Sequence, residues 1–181
     1  MAIQFPTTDF PVLHTPRLVC RELTEADGNQ LLAIRNNEDI NRFIGRSSNQ
    51  PLQHVLGFIA SRQQDWEDKK SVYWGIVLKE TSCVIGTICF WNLDYVVATA
   101  EIGYELLPAE QGKGLMKETI DNVLAYGFEV MKLSAITACL LPANERSLKL
   151  LENNGFTYAE TVENELVYKL SHTQWLNNRH Q

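Results

Sequence analysis

Hydrophobic residues alternate with polar ones near the start of the chain, whereas the middle third is dominated by β-branched and aromatic residues. Residues 17–23 alternate well enough to predict a first strand. Three stretches rich in β-branched and aromatic residues follow, at 72–78, 84–93 and 99–107. Because only short polar turns, predicted at 79–82 and 92–94, separate these three, they predict an antiparallel meander.

Apolar residues at helical spacing predict helices on either side of this meander. Thr24, with Asp27 three residues later, has the pattern of a capping box and predicts a helix start. A second helix is predicted at 52–66. Towards the end of the chain, Asn144 predicts the start of a helix and Gly155 its end.

A loop rich in turn-forming residues, 108–114, separates the fourth strand from another amphipathic helix. A fifth strand is predicted at 135–141, so strand, helix and strand form a crossover unit whose strands run parallel. Two short segments, 156–158 and 165–170, complete the sheet. The expected fold class is α/β (α+β), a mixed and mostly antiparallel sheet flanked by helices, in one domain that covers residues 1–181.

Composition and charge narrow the function classes. Hydrophobic residues make up 45% and charged residues 21% of the chain, the profile of an ordinary globular protein. The net charge of -6 argues against a nucleic-acid-binding protein, because phosphate recognition needs clustered Lys and Arg. An acidic chain suits a cationic acceptor such as an amine, although the same charge also serves solubility alone.

The sequence shows neither a secretory leader nor an apolar run of about 20 residues, so we expect a cytoplasmic protein without a membrane segment. The four histidines lack metal-ligand spacing, and no metal is assigned. The four cysteines form no C-x-x-C pair, which predicts buried free thiols in a reducing compartment. These are Cys20, Cys83, Cys89 and Cys139.

The sharpest chemical signal lies where the crossover helix begins. Two glycines flank a lysine in the segment Gln111, Gly112, Lys113, Gly114, Leu115 and Met116. Glycines let backbone N–H groups approach a ligand, and the positive end of the following helix points at the same place, so the segment predicts a pyrophosphate site. The alternative is a tight turn that needs two glycines. A Walker A loop is excluded because Gly114 stands where Ser or Thr is needed, and a dinucleotide fingerprint because Lys117 stands where glycine is needed.

This segment resembles motif A, Q/R-x-x-G-x-G/A, of the GNAT N-acetyltransferase superfamily. Further segments are similar to other strands and the last helix of that superfamily, and the opening strand resembles the branch that acetylates ribosomal-protein N-termini. They cover residues 15–21, 84–87, 100–108 and 144–156. The chain departs from the motif at Met116, whose backbone N–H still serves in the first helical turn and whose side chain we expect to pack inward.

The resemblance implies acetyl-CoA as cosubstrate, with its pyrophosphate on the backbone amides of residues 111–116. It implies a splay between the fourth and fifth strands that holds the pantetheine arm, with Leu106 beside the cofactor and Asn144 hydrogen-bonded to the arm. It further implies that Glu101 is the general base, and that Ser147 interacts with the departing sulfur.

Periodicity bears on the two glutamates of the fourth strand. Glu101, Gly103 and Glu105 share one face, and Gly103 leaves room for a substrate. Glu101 is the carboxylate far from the phosphate loop, roughly 20 Å back along the strand at about 3.3 Å per residue. Glu105 is interpreted as substrate-facing or structural, and a solvated stretch of sheet is the alternative for both. For Ser147 the alternative is a helix-start role alone.

The sequence therefore predicts an acetyl-CoA-dependent N-acetyltransferase acting on a primary amine, foremost the α-amine of a protein or peptide N-terminus. A small-molecule amine acetyltransferase is the first alternative. The others are a non-catalytic acyl-CoA-binding module and an unrelated α/β nucleotide-binding domain. Neither nucleic acid nor a membrane is expected as a partner, and both a monomer and a homodimer stay open.

Overall fold

The computed structural model describes residues 2–5 and 9–179. Its strands are β1 (Leu13–His14), β2 (Leu18–Glu22), β3 (Val72–Leu78), β4 (Cys83–Asp94), β5 (Thr99–Leu106), β6 (Ala135–Leu140), β7 (Thr157–Val162) and β8 (Glu165–Ser171). Its α-helices are α1 (Gly28–Arg35), α2 (Glu38–Asn41), α3 (Leu52–Glu67), α4 (Leu115–Ala125), α5 (Glu145–Asn153) and α6 (His172–Arg179). The strands form one sheet in the order β1-β2-β3-β4-β5-β6-β8-β7. The expected mixed, mostly antiparallel sheet is confirmed.

The antiparallel meander is confirmed, since β2, β3, β4 and β5 pair with one another in chain order. β3 has the predicted bounds, whereas β4 extends one residue further at each end. The turn after β4 falls later than predicted because the Asp94 carboxylate accepts the N–H groups of Val96 and Val97, at 2.8 and 3.1 Å. An aspartate that binds the backbone two and three residues on is a common way to form a turn.

The predicted capping box before α1 is also confirmed. The Asp27 carboxylate accepts the Thr24 N–H at 2.8 Å, and a short 3₁₀ turn leads into the helix. Arg21 on β2 donates two hydrogen bonds of 2.8 Å to the same carboxylate. The helix start is thereby tied to the sheet.

The crossover unit joins β5 to β6 through a short parallel seam. Only three residue pairs form it, and they are Thr99 with Ala135, Ala100 with Ile136 and Glu101 with Thr137. β5 continues to Leu106 and β6 to Leu140 without further pairing between them. The splay expected between these two strands is therefore present, and it opens directly after Glu101.

Two hydrophobic cores lie on opposite faces of the sheet. The larger packs α4 against the central strands, with Ile120, Val123 and Leu124 almost completely buried. The smaller joins α1 and α3 to β3 and β4 through residues such as Leu31 and Ile59. Within the described residues, no helix combines the length and apolar character that a membrane crossing requires.

Three elements, β1, α2 and α6, are not predicted from the sequence pattern. β1 and α2 are too short for a period to show, and α6 is mostly polar, with Trp175 as its buried residue. The prediction that the cysteines are buried holds for Cys20 and Cys89 but is wrong for Cys139, which is exposed, and for Cys83, which is half-buried. Cys139 is exposed because it points to the face of β6 opposite α4.

Candidate functional site

The loop between β5 and α4 has the backbone geometry that an anion site needs. Gly112 and Gly114 both have φ of 75°, in the left-handed region that glycine adopts without strain. A Cβ atom on Gly112 would meet nothing within 4 Å, so the space above this residue is open. On Gly114 the nearest atom would be Arg17 Nη2, 3.6 Å away. A ligand can therefore approach this backbone closely.

The N–H groups of this loop are free to bind such a ligand. Within the part of the chain that the structure describes, the backbone N–H groups of residues 112–117 have no hydrogen-bond acceptor. The first N–H of α4 that donates to the chain itself is that of Glu118, which bonds to the Gly114 carbonyl. Leu115 and Met116 bury their side chains, at 3% and 8% exposure, as expected for Met116. The side chains thus point into the core while the amides at the positive end of α4 face outward, which fits a pyrophosphate.

Neighbouring side chains hold the loop in place. Arg17 donates to the Lys113 carbonyl at 2.9 Å and forms an ion pair of 2.7 Å with Glu118. Gln111 donates to the Leu106 carbonyl at 2.9 Å and accepts a bond of 2.8 Å from Arg146. Leu106 itself is 6% exposed and packs in the larger core. The loop therefore has a fixed shape before any ligand binds.

Glu101 lies at the other end of β5, where pairing with β6 stops. The Asn92 amide is 3.5 Å from its carboxylate, and the Cys139 thiol approaches from β6. Burial raises the pKa of Glu101, and the nearby negative charge of Glu165 adds to the rise. A carboxyl group with a raised pKa is a better proton acceptor when ionised, which suits a general base.

Glu105 shares the face of Glu101, as the alternation predicts, but its surroundings are closed. Its carboxylate forms an ion pair of 2.7 Å with Arg46 and accepts a bond of 3.2 Å from Thr87. Only 7% of the residue is exposed. Of the two interpretations left open for Glu105, this geometry favours the structural one. The ion pair with Arg46 connects the loop before α3 to the central strand β5.

The start of α5 faces the opposite side of β5. Asn144 Oδ1 accepts the Ser147 N–H at 3.3 Å, so Asn144 caps the helix as predicted. The Ser147 hydroxyl lies 2.5 Å from the hydroxyl of Tyr104 on β5. Burial raises the pKa of Tyr104 to about 12. The two hydroxyl groups therefore stay protonated near neutral pH and form one hydrogen-bonded pair.

Arg46 and Tyr104 contact Glu105 and Ser147, and sequence reasoning misses both. Arg46 belongs to a loop without periodicity, and its partner Glu105 is 59 positions away. Tyr104 lies on the face of β5 that packs in the larger core, where an aromatic residue is interpreted as a core residue. Its hydroxyl partner on α5 is the feature that distinguishes it, and only the tertiary structure brings the two together.

Comparison with known proteins places this geometry in context. Residues 17–157 match the family described as the acetyltransferase (GNAT) domain. The chain is also 34% identical, over 147 residues, to the uncharacterised N-acetyltransferase YoaA of Bacillus subtilis. That match covers 81% of this chain and 83% of YoaA.

The fold is similar to two solved structures, each with a TM-score of 0.77 and 18% sequence identity. One is a ribosomal-protein-S5-alanine acetyltransferase from Vibrio fischeri, where the match covers 91% of this chain and 98% of that one. The other is a spermidine N-acetyltransferase from Vibrio cholerae in complex with CoA and spermine, with 90% and 100% covered. The family match, the identity to YoaA and the splayed sheet agree, and they show that this chain belongs to the GNAT acetyltransferase family.

Proposed function

We propose that the protein moves the acetyl group of acetyl-CoA to the α-amine of a protein or peptide N-terminus, with Glu101 as general base. The observation that carries the proposal is the position of Glu101 at the point where the β5–β6 seam ends. The free amides of residues 112–117 support a pyrophosphate at the far end of the same opening. An extended cofactor arm between the two strands would present its acetyl group near Glu101.

The amine must be neutral to attack the thioester carbonyl. Glu101 takes the proton that the nitrogen loses as the new C–N bond forms, and the CoA thiolate leaves. An α-amine with a pKa of about 7.8 is neutral in roughly one molecule in ten at pH 7, whereas a lysine with a pKa of about 10.4 is neutral in far fewer than one in a thousand. A single half-buried carboxylate therefore suits an N-terminal acceptor better than a lysine.

The departing sulfur would lie on the α5 side of the splay, by analogy with the family. Tyr104 and Ser147 have two hydroxyl protons between them, and their mutual hydrogen bond uses one. The second hydroxyl proton can point at the negative charge that develops on the sulfur. Net proton transfer is unfavourable, because a thiol titrates near 8.5 whereas the Tyr104 pKa is raised to about 12. We therefore assign the pair as a hydrogen-bond donor and not as an acid.

We expect Ser147→Ala to lower kcat by roughly 10- to 100-fold with little change in acetyl-CoA affinity, because hydrogen bonds to charged groups contribute about 1.5–3 kcal/mol. The loss should be the same at every pH, since no titrating group is removed. In this proposal Ser147 is the member of the pair that faces the sulfur, so Tyr104→Phe, which leaves the Ser147 hydroxyl in place, should cost less. Steady-state kinetics across pH measures the loss in kcat. If the pKa on the basic limb of the pH–rate profile disappears in Ser147→Ala, the pair donates a proton to the sulfur and the hydrogen-bond assignment is wrong. A fully active Ser147→Ala enzyme would leave only the helix-start role.

Thiol release from acetyl-CoA tests the choice of acceptor. A peptide with a free N-terminus should be acetylated, and the same peptide with a blocked N-terminus and an internal lysine should not. Turnover with spermidine but with neither peptide would favour the small-amine alternative. Binding of acetyl-CoA without turnover of any amine would favour a non-catalytic acyl-CoA-binding module.

A further inference from the structure

Three arginines gather beside the sheet face that carries Glu101. Arg35 ends α1, Arg46 lies in the loop before α3, and Arg62 belongs to α3. The guanidinium carbons of Arg35 and Arg62 lie 3.9 and 5.0 Å from the centre of the same Phe58 ring. Burial lowers the pKa of Arg35, repulsion from Arg46 and Arg62 lowers it further, and the charge of Glu105 opposes part of this fall. The three cations therefore form one cluster.

Internal carboxylates balance only two of these charges. Glu105 pairs with Arg46 at 2.7 Å, and Asp65 pairs with Arg62 at 2.8 Å. Within the described residues Arg35 has no ion pair, and its Nε donates to the neutral Gln50 amide at 3.1 Å. Arg62 Nε is buried and has no acceptor in the same part of the chain. The cluster thus keeps an excess positive charge and a spare buried donor, both of which are costly without an anion.

The cluster lies within reach of the acetylation site. Burial raises the pKa of Cys89 to about 12, and the positive charge of Arg62 is close enough to oppose part of that rise. Cys89 in turn pairs with Gly103 on β5. Gly103 and Glu105 are two and four residues from Glu101, or roughly 7 and 13 Å at about 3.3 Å per residue. A Cβ on Gly103 would meet Cys89 Sγ at 3.3 Å, which is a tight contact, and Trp91 Nε1 at 3.7 Å, so any side chain at this position of β5 would push against the neighbouring strand β4.

We propose that the arginine cluster binds an anionic group of the acceptor, a carboxylate or a phosphate, while Glu101 receives the amine. The proposal rests on the function proposed above and narrows its substrate class. An extended peptide advances about 3.3–3.6 Å per residue, so a span of roughly 7–13 Å places the anion on the second to fourth residue after the N-terminus. Arginine suits this task because its planar fork matches carboxylates and phosphates. A polyamine, by contrast, would place positive charge against the cluster.

Matched peptides test the proposal. Peptides that differ only at the third residue, Glu, phosphoserine or Gln, are compared by thiol release and by calorimetric titration into the CoA-bound protein. We expect the two anionic peptides to bind at least about tenfold more tightly than the Gln peptide, the lower end for hydrogen bonds to charged groups. Arg35→Gln should reduce that preference to within about twofold. The matched control is Arg42→Gln, an exposed arginine whose side chain stacks on Phe43, and it should keep the preference.

The titration separates this proposal from the proposed function. Equal binding of all three peptides to the wild-type protein, or an undiminished preference in Arg35→Gln, would overturn the anion site. Preferential binding that depends on Arg35 without thiol release would instead contradict N-terminal acetylation and leave the anion site standing. Acetyl-CoA-dependent stabilisation of Arg35→Gln in a thermal melt shows that the variant is folded.

Discussion

Glu101→Gln is expected to lower kcat by about 10²–10⁴-fold, the usual contribution of a general base. The amide keeps the size of the side chain and can still bond to Asn92, so the seam and the opening beside it should persist. What is lost is the ability to accept the proton of the attacking amine. Acetyl-CoA should stabilise the variant as it does the wild-type protein, which separates catalysis from binding.

The pH profile gives this prediction a second readout. Because burial raises the pKa of Glu101, the contribution of this carboxylate is complete above that raised pKa and is lost as the pH falls through it. This acidic limb of the pH–rate profile should be absent in Glu101→Gln. The titration of an acceptor α-amine, with a pKa of about 7.8, should remain in both enzymes. Glu160→Gln, an exposed glutamate on β7, is the control and should leave kcat within about twofold. An unchanged kcat in Glu101→Gln would assign the proton to a water relay or to another residue.

Gly114→Asp is expected to abolish the stabilisation of the protein by acetyl-CoA. For the wild-type protein that stabilisation should be about 2.7 kcal/mol at 100 times the dissociation constant. The new carboxylate would stand where the loop amides face outward, and it would repel a pyrophosphate. Aspartate tolerates the left-handed region better than most residues, so the fold itself should survive.

A second glycine supplies the control for backbone strain. Gly45 has φ of 68°, and a Cβ there would meet nothing within 4 Å. Gly45→Asp therefore adds a comparable strain and the same charge away from the loop, and its melt should still shift with acetyl-CoA. If the melting temperature of Gly114→Asp rises with acetyl-CoA as much as that of Gly45→Asp, the assignment of the pyrophosphate to this loop is wrong.

Features set by residues close in sequence were predictable. The capping box of Thr24 and Asp27, the bounds of β3 and the cap of Asn144 on α5 each depend on neighbours within a few positions. The splay came from the resemblance to a family and not from periodicity, because nothing in an alternating pattern says where two parallel strands stop pairing.

Features set by distant partners were not predictable. Ser147 and Tyr104 are 43 positions apart, and Arg46 and Glu105 are 59 apart. Each of these residue types has an ordinary role in its own segment, as a helix-start serine, a core tyrosine or a loop arginine. The exposure of Cys139 was missed for the same reason, since a thiol in an apolar strand is usually buried.

The short seam also bears on how the protein opens. Three residue pairs are all the strand pairing between β5 and β6, whereas β6 and β8 share six pairs. Proteins open locally in cooperative units, and the boundary between such units lies where few hydrogen bonds cross. In amide hydrogen exchange the two parts of the sheet should therefore behave as separate units hinged at Glu101. A cofactor arm that hydrogen-bonds to both strands would join them beyond this seam, so the rigidity of the sheet around the proposed general base would depend on the cosubstrate.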